Sequence, residues 1–238
     1  MDMVETFKTI YVSCQRLILP NIAAALSMSY LHKYQKVNVT CLDSGSTDLN
    51  ILYIAAIFLG CKTTENLRSM RDIYNIVTKT MDETISLSEL DKMYVANKEK
   101  IIVKEHELLR VLSFDVELDL PHKYLLNIAR HLNIIQGQVR IAWSFLNDAF
   151  LSSKCAEAKP EVVAAACLLL ALEVSMQELK KSSEENTKNG VEGDKDEHLV
   201  RATPTLATRW WNGFGIEDSD ILHAAGWICQ ICIEHSTT

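Results

Sequence analysis

Lys62 and Glu105 are the charged residues whose settings call for an explanation. Lys62 closes the apolar segment LYIAAIFLGCKTTE, from Leu52 to Glu65, and Glu105 lies inside IVKEHELLRVLSFDV, from Ile102 to Val116. A lysine offers three donors on a flexible stem, and a carboxylate only accepts. An opposed pair of this kind on greasy helices has the chemistry to grip the main chain of another protein. Spacing alone leaves blander roles open. A lysine near a helix C-terminus interacts with the helix dipole and reaches to water, and Glu105 fits a solvated position on a long helix. Elsewhere, Cys229 and Cys232 have CxxC spacing and are followed by His235. A zinc site needs a fourth ligand, and none stands at a suitable distance along the chain. On a helix these three residues form one stripe beside Ile228 and Ile231, which reads as covered thiols. No glycine-rich phosphate loop and no Ser/His/Asp arrangement stands out. We expect no catalytic residue, no cofactor and no bound metal.

The elements that must position Lys62 and Glu105 are helices. The periodicity predicts a first helix from Val4 to Leu19 and a second from Pro20 to about Tyr34. A third, capped by Thr47 or Asp48, ends near Lys62. A fourth covers Ser69 to Thr80, and a long one runs from about Lys92 to Ser113. From Pro121 the pattern begins again, with PHKYLLNIARHL, QVRIAWSFLNDAFLSS and PEVVAAACLLLALEVSM, then WWNGF, then a last helix from about Asp218 to His235. His122 reads as a residue that orients the inter-repeat connection. Trp143, Trp210 and Trp211 read as core anchors. Arg71 and Asp72 read as a local pairing that fixes the fourth helix. From Glu178 to His198 there are seven acids, four lysines and almost no large apolar residue. Such a stretch cannot bury enough surface to offset the cost of ordering it, so we expect a flexible charged loop over residues 178–206.

The third helices of the two halves overlay at an offset of 110, with Ala55 on Ala165, Ala56 on Ala166 and Leu59 on Leu169. Small residues let other helices pack closely, so each third helix should be the buried centre of a five-helix unit. The same overlay sets Lys62 on Leu172. Only the first unit breaks its apolar helix end with a cation, which places the function there.

Composition narrows the classes. Apolar residues make up 48% and charged residues 23% of 238 residues, as in an ordinary globular protein. The net charge of -7 offers no basic field for nucleic acid. The apolar run from Val162 to Leu172 is too short to span a bilayer. The opening MDMVETFKTIYV lacks the basic start of a secretory signal. Seven scattered cysteines look like reduced thiols of an intracellular chain.

The segments LGCKTTE and KEHELLRVLSFDV, within two five-helix repeats, resemble the cyclin fold. In wording, SMRDIYNIV, ELLRVLSFDVELDLPHKYLLNIARHL, the AW and F of RIAWSFLNDAF and the RWW before the last helix resemble the cyclin Q (cyclin M) subfamily. The resemblance implies an all-α fold of two cyclin boxes, residues 1–118 for kinase docking and 119–238 carrying the charged loop. It implies a non-catalytic activating subunit of a cyclin-dependent protein kinase, by subfamily the kinase numbered ten, in the nucleus or cytoplasm and not secreted. Neither nucleic acid nor membrane is an expected partner. Lys62 would donate to backbone carbonyls beside the kinase C-helix, and Glu105 would pair with Lys62 and accept from kinase backbone N–H groups. Leu59, Leu109 and Phe114 would form the apolar floor around them. Two other classes remain: a kinase-independent scaffold using the tryptophan-rich second repeat, and a cyclin-fold transcription factor, against which the acidic pI of about 5.5 argues.

Overall fold

The structure is a computed structural model that describes residues 3–38, 46–188 and 208–236. The described residues form helices and no strand, in two compact units. The first unit comprises Met1–Asp119 and Phe150–Ala156, and the second Leu120–Ala149 and Glu157–Thr238. The boundary thus falls one residue after the expected one, and a short segment of the second half joins the first unit. His32 helps to hold it there. Its Nε2 lies 2.9 Å from Phe150 O, and because a carbonyl only accepts, that nitrogen carries the proton.

In the first unit, α1 (Met3–Arg16), α2 (Asn21–Val37), α4 (Met70–Met81) and α5 (Leu87–Val111) all pack on α3 (Ser46–Thr63). Tyr53, Ile54, Ala55, Ala56 and Ile57 of α3 are at most 1% exposed, so this helix is apolar on every side and must be surrounded. α3 begins at Ser46, which puts Thr47 and Asp48 inside the helix rather than at its cap. α5 starts five residues before the sequence reading placed it. Ser86 accepts from the Glu89 backbone N–H while the Glu89 carboxylate accepts from the Ser86 backbone N–H, a reciprocal box that fixes the start. Arg71 pairs with Asp91 of α5 at 3.6 Å, not with Asp72.

Gly60 lets α3 and α2 approach. A Cβ built there would lie 2.4 Å from Ser27 Oγ and 3.0 Å from Ala23 O. Alanine is the better helix former by about 1 kcal/mol, but overpacking costs about 1–3 kcal/mol. Gly60→Ala should therefore lower the urea midpoint of unfolding by the equivalent of about 1 kcal/mol. Ser27→Ala in the same chain should restore much of it, because it removes the nearer obstacle.

In the second unit, α6 (Pro121–His131), α7 (Gln136–Ala149) and α10 (Asp218–Ser236) pack on α9 (Pro160–Lys188). A 3-10 turn (Trp210–Phe214) belongs to this unit, and the short α8 (Ser153–Glu157), all but its last residue in the first unit, completes the described elements. From Val163 to Leu169 no residue of α9 exceeds 2% exposure. The segment Pro160–Glu178 has the length and hydropathy to cross a bilayer, contrary to the sequence reading, yet its apolar residues are the centre of this unit. α9 is helical to Lys188, which corrects the expected loop over 178–188. Leu, Lys and Glu are good helix formers, and lengthening a helix already nucleated is easy. The rest of the expected loop, 189–206, lies outside the described residues.

Trp211 is buried and donates through Nε1 to Asp218 Oδ1 at 2.7 Å. Asp218, the first residue of α10, also pairs with Arg209 at 2.9 Å. His122 is buried with its ring edge-to-face on Trp143. Burial pushes the His122 imidazole down from its ordinary 6.5 to about 4, against a smaller upward pull from a hydrogen bond with Asn147. The neutral ring is therefore favoured in the fold, while the unfolded chain takes up the proton near 6.5. Stability should be full above that pH and should fall as pH drops towards about 4, by up to about 3 kcal/mol. Thermal melts at a series of pH values should show this loss, and His122→Gln should flatten it.

Candidate functional site: a half-open charge pair on the first unit

α3 and α5 lie side by side, and this brings Lys62 and Glu105 together. Lys62 Nζ donates to Glu105 Oε1 at 2.6 Å. The lysine side chain is 43% exposed and the glutamate 7%. Lys62 also lies over the Phe58 ring, 4.1 Å from its centre and one helical turn back. Among the described residues its ammonium has no other hydrogen-bond partner, so two donors remain free. Glu105 Oε2 likewise accepts from no described residue. The pair is thus satisfied within itself, and the half-exposed lysine still has donors open to solvent.

The walls of this site are fastened from within. Tyr30 of α2 is fully buried, and its hydroxyl contacts Thr63 Oγ1 at 3.2 Å and donates to Val116 O at 2.7 Å. One side chain therefore ties the last residue of α3 to the extended stretch after α5. Burial, the larger cause, raises the Tyr30 pKa, with a smaller opposing effect from the Thr63 hydrogen bond. α5 ends as Ser113 N–H donates to Arg110 O and Phe114 N–H donates to Leu109 O, each at 2.9 Å. Ser113 and Phe114 sit at φ 53° and 60°, a left-handed pair without glycine. Such residues cost about 1–2 kcal/mol each and persist where their surroundings impose them. The outcome is that Phe114 stands 70% exposed.

The chain has sequence relatives among the cyclins. No family model matches the chain. Cyclin-L1 of Danio rerio is 30% identical over 132 residues, covering 53% of this chain and 26% of that protein. A cyclin-L1-like protein of Schizosaccharomyces pombe is 28% identical over 146 residues, covering 56% of this chain and 57% of that protein. Cyclin pch1 of the same yeast is 29% identical over 163 residues, covering 66% and 46%. Over somewhat more than half its length the chain is thus similar to cyclins. It spans between about a quarter and somewhat over half the length of these relatives. A chain of the yeast RNA Pol II CTD kinase CTDK-1 complex superposes with a TM-score of 0.67 at 16% identity, over 95% of this chain and 63% of that one. The all-helical fold is the cyclin-box fold.

The three apolar residues expected around the charges have different positions in this chain. Leu59 is 4% exposed. It offers a partner almost no surface, because it faces the interior of its own unit. Leu109 is half-buried, and Phe114 is open. Sequence reasoning passed over Phe58 and Tyr30. An aromatic four residues before Lys62 was a readable signal for the first, since positions i and i+4 share a helix face. The second had none, because Tyr30 and Val116 are 86 residues apart. The other candidate cluster behaves as covered thiols. Burial pushes Cys232 up to about 11 and raises Cys229 as well, which works against the thiolate that metal binding requires. The side chain of His235 lies outside the described residues.

Proposed function

We propose that this chain is the non-catalytic activating subunit of a cyclin-dependent protein kinase and holds the kinase C-helix in place through Lys62 and Glu105. The supporting observation is the half-open pair itself. Among the described residues it leaves two lysine donors and one carboxylate oxygen without a hydrogen-bond partner. A kinase is active only when its C-helix glutamate meets the strand-three lysine, so a rigid helical surface that fixes the C-helix acts as a switch. Lys62 suits backbone carbonyls beside that helix, and Glu105 suits backbone N–H groups. Because Glu105 already neutralises Lys62, docking would bury no lone charge.

By subfamily resemblance the partner is the cyclin-dependent kinase numbered ten, or its equivalent. A transcription-linked role in the nucleus fits the likeness to a chain of a complex described as an RNA Pol II CTD kinase. Co-expression with a panel of cyclin-dependent kinases, followed by pull-down and a phosphorylation assay, tests both levels. Capture and activation of a different member would correct the choice of kinase. Failure to bind any would end the regulatory reading.

A further inference from the structure

The second unit carries an open cleft of about 510 Å³, lined by Tyr124, Asn127, Ile128 and His131 of α6, Glu161 in the first turn of α9, and Phe214 of the 3-10 turn. Its floor is apolar, since Ile128 is 4% exposed. Its walls are aromatic, with the His131 ring edge-to-face on Phe214 at 5.5 Å between centres. Glu161 supplies its formal charge, and that carboxylate forms no ion pair or side-chain hydrogen bond among the described residues. No lysine or arginine lines the cleft. Lys123 Nζ sits 5.1 Å from the Tyr124 ring centre, so that ring already faces a cation and leaves Phe214 as the aromatic wall to consider.

From this geometry we propose that the cleft receives an arginine side chain from a basic segment of a partner protein. A planar guanidinium stacks on aromatic faces and also presents a fork of N–H donors that matches a carboxylate. Here Phe214 offers the face, Glu161 the acceptor and Asn127 a side-chain carbonyl for a remaining donor. An ammonium shares the charge but not the plane, so lysine should bind more weakly. A neutral or acidic guest would leave the Glu161 carboxylate without a counter-charge, and an acidic one would be repelled by it. The site lies wholly within the second unit and does not depend on the kinase-docking reading.

The test titrates the full chain with the blocked tripeptide Gly-Arg-Gly and follows backbone amide shifts by NMR. The lysine and citrulline versions run alongside, citrulline having nearly the shape of arginine without its charge. The arginine peptide should shift the amides around Asn127, His131, Glu161 and Phe214. The lysine version should be weaker and the citrulline version weaker still. Glu161→Gln, which keeps shape and fold, should weaken arginine binding by about three- to tenfold, as for a partly exposed ion pair with an aromatic contact. Phe214→Ala, at an exposed position, should reduce the preference for arginine over lysine. Equal shifts from citrulline, unchanged binding by Glu161→Gln, or shifts centred elsewhere would each overturn the proposal.

Discussion

Lys62→Ala should weaken association with the partner kinase by roughly 30-fold to several thousand-fold, equivalent to about 2–5 kcal/mol. The range follows from what is lost. Before docking, the pair is worth little to this chain, because a lysine 43% exposed to solvent gains only about 0–1 kcal/mol from its carboxylate. After docking, water is excluded, and removing the ammonium leaves Glu105 and the kinase carbonyls unpaired together. Glu105→Ala should produce a loss of similar size. The double substitution should cost much less than the sum of the two, since both residues act through one contact. Titration calorimetry on the three variants measures this directly. Melting temperatures within a few degrees of the parent would show that the loss is not unfolding. Full binding by Lys62→Ala would remove the docking reading.

Leu172→Lys, the mirror substitution in the second unit, should have the opposite character and destroy the fold. Leu172 occupies the position that Lys62 holds in the first unit, but it is completely buried. An ammonium there would have no counter-charge provided for it. An uncompensated buried charge costs about 3–5 kcal/mol, and the lost leucine burial adds about 1.5–3 kcal/mol. Domains are stable by only about 5–15 kcal/mol, so the second unit should be largely unfolded or aggregated at 37 °C. Circular dichroism and protease sensitivity of the 120–238 half would report it. A folded, cooperative Leu172→Lys protein would mean that α9 opens to water at that point.

The contrast between Lys62 and Leu172 was visible in the sequence because both sit in long apolar helices whose surroundings are uniform. A charge among Ala, Ile and Leu is conspicuous, and helical spacing projects it reliably. What was not visible was anything held by contacts distant along the chain. The hydroxyl of Tyr30 reaches Thr63 and Val116 across sequence separations that no periodicity reveals. Leu59 shows the limit from the other side. The family resemblance implies a place for it beside the pair, but the packing of α3 shows that it faces the interior. The early start of α5 lay in plain view as Ser86 and Glu89, and was missed because the residues after them are polar. The helical reach of α9 to Lys188 is hidden in the same way, because its last turns are polar even though they are built of helix-forming residues that follow a buried helix.

Phe58 has a consequence for how tightly such a surface can hold its guest. A lysine waving in solvent gives up about 2 kcal/mol of rotamer freedom when it is captured. Here the aromatic ring beneath it and the carboxylate beside it have already restricted that motion during folding. If Lys62 docks on a partner as proposed, it would meet that partner close to its final pose, and the entropic toll at encounter would shrink accordingly. Grip on a foreign backbone should therefore track the stillness of the charge as well as its presence.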